Sequence, residues 1–137
     1  MKTFLRTAVA AALAAAAGCM TVQRVDDFGG LKVNGGHAPS AAIEVTNSVW
    51  LLFNFIPIAS GNPDAPNANS CRWFRNTVNL ENNMNVVKRI ADADNGGDIC
   101  ELVSRYADEK YLLFLLARRS CHTSAVLTKR APKGPAR

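Results

Sequence analysis

Six side chains carry most of the reactive chemistry in this chain: Cys19, Cys71, Cys100 and Cys121, with His37 and His122. Thiolates and imidazoles serve as nucleophiles, bases and metal ligands, so their spacing decides which of these roles is open. No two cysteines form a Cys-x-x-Cys pair, which argues against a thioredoxin-like redox centre and a zinc knuckle. Cys121 and His122 are neighbours, but adjacent residues on a strand point to opposite faces, so they cannot act on each other. His37 lies among glycines, where a base is poorly positioned. No GxSxG, HExxH or phosphate-loop pattern occurs. These residues predict no catalytic site, no bound metal and no cofactor. A small-ligand or metal-binding periplasmic module using scattered Cys and His is the alternative function class.

Cys19 stands apart because of what precedes it. Lys2 and Arg6 make a short positive segment, and Thr7 to Ala17 is an uncharged, alanine-rich run ending at Gly18-Cys19. That order predicts a secretory signal over residues 1–18. The run is also shorter than the roughly 20 apolar residues of a membrane-spanning helix. Ala16-Ala17-Gly18-Cys19 resembles a bacterial lipobox. The resemblance implies cleavage before Cys19 and lipidation of its thiol, giving a membrane anchor of more than one acyl chain, since a single chain holds only marginally. Residue 20 is Met rather than Asp. Within that resemblance this points to the outer membrane, facing the periplasm, rather than the inner one. The competing expectation is ordinary cleavage after Ala17, leaving Cys19 a plain cysteine.

Three further cysteines remain, and an oxidising compartment allows at most one bond among them. Cys100 and Cys121 flank the polar segment Ala107-Asp108-Glu109-Lys110 at similar distances. Antiparallel strands leaving a turn there would bring the two together, so they are the candidate disulfide. Cys71 is an alternative partner for either, and two buried thiols packing as small apolar groups is the plain alternative.

The chain has 137 residues and a formal charge of +5. Lys2 and Arg6 leave with the signal, and Lys129, Arg130, Lys133 and Arg137 sit in the last ten residues. The basic character therefore belongs to the two ends, and the folded part has no basic face of the kind nucleic acid requires.

The elements that must position these groups follow from patterning. Residues 19–41 read as a flexible tether, rich in Gly and Asp. A domain over 42–128 follows, then a disordered basic tail over 129–137. Ile43 to Thr46 alternates as a strand, Asn47-Ser48 reads as a turn or bulge, and Val49 to Ile58 reads as a core strand. Arg72 to Val78 reads as another strand. Leu80, Met84, Val87 and Ala91, with Ile90 beside them, form an apolar helix stripe that Asn79 can cap and Asn95-Gly96-Gly97 ends. Strands are expected over Ile99 to Tyr106 and toward Leu127, with Tyr111 to Ala117 a second apolar run. The fold class is α+β: a small antiparallel sheet of four to five strands with one amphipathic helix packed on one face. One helix cannot cover both faces of every strand. Trp50, Phe53, Phe55, Leu113 and Phe114 are therefore the candidate interaction surface, for lipid, a protein partner or a homodimer.

The second half has a familiar plan: Asn82 to Asp94 as a helix, the turn Gly96-Gly97-Asp98, a strand from Ile99 to Arg105 and a last strand from His122 to Leu127. Over roughly residues 76–128 it resembles small envelope lipoproteins of the TRL-like kind, Rcs-type stress-sensing lipoproteins and YbjQ-type domains. The resemblance implies the fold and an envelope setting. Together with the leader it predicts a membrane-anchored bacterial lipoprotein with a non-enzymatic structural, interaction or sensing role.

Overall fold

The structure, a computed structural model, describes residues 19–28, 39–67, 70–94, 98–111 and 115–128. The signal segment, the basic tail, Leu113 and Phe114 lie outside the described residues. The described chain forms strands β1 (Met20–Val25), β2 (Pro39–Leu52), β3 (Ile56–Gly61) and β4 (Cys71–Trp73), helix α1 (Leu80–Ala93), and strands β5 (Asp98–Tyr111) and β6 (Leu116–Thr128). The sheet is antiparallel throughout, in the order β4-β3-β2-β6-β5. β1 pairs with β2 from Met20↔Asn47 to Val25↔Ala42, beside the part of β2 that β3 leaves unpaired.

The long central strands β2 and β6 alternate, and one face of each is the core. Ala41, Ile43 and Val45 of β2 meet Ala125 and Leu127 of β6, with Met20 of β1 and Val86, Val87 and Ala91 of α1. A second cluster joins Val49, Leu51, Val78, Ala117 and Cys121. Removing this apolar area from water is the main drive for folding. Asn79 caps α1 as expected, its side chain accepting from the Asn82 amide at 2.7 Å. The helix ends at Ala93, with Asp94 as its C-cap.

Several expectations need correction. Residues 19–41 are not all tether: β1 is in the sheet, and Cys19 and Met20 are each 3% exposed. Asn47-Ser48 does not interrupt β2, because both side chains are buried and bonded. Val49 to Ile58 is a hairpin rather than one strand. Phe53 and Asn54 both have positive φ, 51° and 67°, and the Phe55 amide donates to the Leu52 carbonyl at 3.2 Å. Two successive positive φ values make the mirror-image turn that suits hairpin twist. Arg72 to Val78 contributes only the last two residues of the three-residue β4, since Phe74 turns away at φ 54°. Ala107 to Lys110 is strand, because β5 is an exposed edge whose side chains need no burial. The buried face of α1 carries Asn83, Val86, Val87 and Ala91, while Leu80 and Met84 are exposed.

Candidate functional site

The longer β5 moves the register of the last hairpin. Cys100 stands opposite Val126, and Cys121 stands opposite Tyr106. Five residues along β6 separate the two positions, roughly 16 Å at strand rise. The Cys100–Cys121 disulfide is therefore excluded by geometry. Cys121 packs in the second core cluster, while the Cys100 thiol lies 3.8 Å from the Thr128 hydroxyl.

Instead the fold joins Cys19 and Cys71, whose sulfurs are 3.4 Å apart. The start of the described chain is held tightly. The Cys19 carbonyl accepts from the Ser48 amide at 2.7 Å and the Ser48 hydroxyl at 3.1 Å. Gly61 closes the corner, because a Cβ there would stand 2.3 Å from Asn47 Oδ1, 2.6 Å from Met20 Cβ and 2.8 Å from the Cys19 carbonyl. Burial, followed by the hydrogen bond from Cys71, pushes the Cys19 thiol up to about 12. A thiol so protonated is a poor nucleophile at neutral pH.

Cys121 and His122 do leave on opposite faces. On the open face, away from α1, His122 meets Thr46 Oγ1 through Nδ1 at 3.0 Å and Ser120 Oγ through Nε2 at 3.1 Å. Glu44 Oε1 is 3.7 Å from Nδ1. A hydroxyl, an imidazole and a carboxylate in sequence are the parts of a nucleophile–base–orienter set. However, β6 is hydrogen-bonded to β2 and β5 on its two sides, so its local amides serve the ladders and are not aimed at an oxyanion. Higher on the same face, Trp50 stacks with Tyr111 at a centroid separation of 5.5 Å, and the Arg118 guanidinium lies 5.9 Å over the Trp50 ring. The signal for this network is the period-2 series Glu44-x-Thr46-x-Ser48 and Ser120-x-His122-x-Ser124, which can be read only once both strand registers are known.

Of the candidate interaction residues, Phe53 and Phe55 are exposed at the β2–β3 turn, whereas Trp50 belongs to the open-face stack. Ile56, inside the Val49 to Ile58 run, is exposed too, as are Trp73 and Phe74, which sequence patterning assigns only to a strand. Trp73 stands opposite Ala59, and the Phe74 amide donates to the Ile58 carbonyl at 3.0 Å, which sets both aromatics on the β3–β4 edge. A bulky residue in the left-handed region costs about 1–3 kcal/mol, and two exposed phenylalanines, Phe53 and Phe74, adopt it.

Among the described residues no three His, Cys, Asp or Glu side chains gather as a metal site, and no helix is long and apolar enough to cross a membrane. Among the described residues, fold and site define a six-stranded antiparallel sheet backed by one helix, with a cysteine pair at the head of its first strand. No family model, curated protein or solved structure matches the chain.

Proposed function

We propose that the protein is a non-enzymatic envelope lipoprotein, held on a membrane through an acylated Cys19, with an interaction or sensing role. The observation that carries this reading is the position of Cys19. It closes a leader of secretory type and is immediately followed by the first paired residue, Met20. An anchor there would be joined to the sheet with no spacer, so the domain would work against the bilayer rather than at the end of a linker. Intact-mass analysis of the membrane-extracted protein tests it. The expected result is a mass beginning at Cys19 plus a lipid-sized increment, which a Cys19→Ala variant lacks. A chain that keeps Met1 and has no increment overturns it.

The 3.4 Å contact between the Cys19 and Cys71 sulfurs favours a second reading. Here the leader is cut after Ala17 and the protein is exported without lipid. A disulfide acceptor such as oxidised glutathione takes two electrons from the thiols, two protons leave, and a Cys19–Cys71 bond forms. The same mass spectrum separates the readings, because this species begins at Gly18, lacks lipid and is lighter by two hydrogens than its reduced form.

A further inference from the structure

We infer that the β3–β4 edge, with Phe53, Phe55, Ile56, Trp73 and Phe74, is a membrane-contact strip that seats in the headgroup region of a lipid bilayer. The inference rests on the lipoprotein reading and deepens it by naming the surface that meets the membrane.

Three observations converge. The first is exposure without compensation: Phe55 is 72% exposed, Phe74 75% and Trp73 52%, in a domain small enough to need its aromatics inside. The second is the backbone. Phe53 and Phe74 hold left-handed conformations with their side chains turned to solvent, at positions where Gly or Asn would fit without strain. Backbone strain spent on presenting apolar rings outward points to a surface with a task. The third is location. Cys71 touches Cys19 and lies two residues from Trp73 and three from Phe74 on the same edge. The Cys19 sulfur is buried against Cys71, so an acyl group on it would have to displace the Cys71 thiol from this corner, and would then emerge beside the strip. With Met20 already in the sheet, no slack separates the strip from the membrane.

The occupant follows from shape and chemistry. The strip consists of a tight turn and a short edge strand whose large apolar side chains are exposed, and so suits a deformable apolar surface. Trp and Phe at such a rim match the interfacial region, where aromatic rings settle at headgroup depth. Arg72 and Arg75 flank Trp73 and Phe74 in sequence and supply cations for phosphate oxygens, although Arg72 also pairs with Asp64.

The test uses the full chain carrying Trp50→Phe, so that Trp73 is the sole indole, bound to vesicles of phosphatidylethanolamine and phosphatidylglycerol with brominated acyl chains. The expected result is a blue shift and a loss of about half the Trp73 emission, as for an indole at headgroup depth. The companion protein carries Trp73→Phe and keeps Trp50, and its emission stays unquenched. A Cys19→Ser chain, which has no lipid, is expected to bind the same vesicles weakly, and Phe55→Ser with Phe74→Ser to lower that partition by about tenfold. Acylated protein that stays on the vesicles with Trp73 unquenched overturns the strip and leaves the anchor standing. Mature protein without lipid mass overturns the anchor, and the Cys19→Ser partition then decides the strip alone. A dimer in free solution that buries Trp73 assigns the strip to a second copy and overturns the lipid assignment.

Discussion

The two faces of the central strands obey opposite rules, although the same strands build both. Toward α1, β2 presents Ala41, Ile43 and Val45 and β6 presents Ala125 and Leu127, all closed to solvent. One residue further along, the same strands present Glu44, Thr46 and Ser48 and Ser120, His122 and Ser124. The covered face is held by volume, and any lost atom leaves a cavity. The open face is held by directional polar contacts that water can partly replace. The difference teaches that one helix can complete the described sheet because the second face is polar at its centre.

The largest effect is expected where volume alone decides. Leu127 is fully buried between β2, β6 and α1. Leu127→Ala should lower stability by about 3 kcal/mol, read as a fall in the urea midpoint with an unchanged slope. A cost below about 1 kcal/mol would mean that α1 packs loosely and that the contrast between the faces is weaker than described.

Gly61→Ala tests the corner that holds Cys19. The new methyl would meet Asn47 Oδ1, Met20 Cβ and the Cys19 carbonyl, two of which belong to the start of β1. Overpacking of this kind costs about 1–3 kcal/mol. Faster hydrogen exchange of the Ser48 amide would show that the Cys19 carbonyl has been displaced. Unchanged exchange would show that the corner yields elsewhere.

Asn83→Ala measures a strongly polar contact of the covered face. The Asn83 amide donates to the Cys121 carbonyl at 2.9 Å, Thr123 Oγ1 at 3.1 Å and the Val45 carbonyl at 3.3 Å, tying α1 to both central strands. Its loss should cost about 1–2 kcal/mol. Much of the rest was legible in the sequence. The helix, its Asn79 cap and the alternation of Ile43 to Thr46 follow from local patterning. What was missed depends on pairing. Apolar spacing places the helical stripe on Leu80, Met84, Val87 and Ala91; Val87 and Ala91 do face the core, but Leu80 and Met84 do not, because spacing cannot reveal that a buried Asn faces strand carbonyls. Ala107 to Lys110 carries the loop-like composition of an exposed edge strand, and a turn placed there gives a register that sets Cys100 against Cys121 in place of Val126. The Cys19–Cys71 contact crosses 52 residues and needs β1 in the sheet, so no local signal announces it.

Alkaline titration compares the buried corner with the rest of the molecule. In the unacylated chain the Cys19 thiol is raised from 9.0 to about 12, so the folded state holds its proton more tightly than the unfolded state does. That contribution is intact below pH 9 and is lost as pH rises toward 12. Urea midpoints should fall over this window more steeply for the unacylated wild type than for Cys19→Ser. Acylated protein, whose sulfur carries no proton, should follow the variant. Parallel curves for all three would place the Cys19 sulfur in solvent.

The smallest effect is expected on the open face. His122 is a quarter exposed and bonds Thr46 and Ser120, with Glu44 further off. Thr46 and Ser120 can turn their hydroxyls to water when the imidazole is gone. His122→Ala should therefore cost less than about 1 kcal/mol, against about 3 kcal/mol for Leu127→Ala only five residues along the same strand. A larger loss, recovered by His122→Gln, would show that the polar network orders β2 against β6 as strongly as the apolar face does. The two faces would then share the work of holding the central strands.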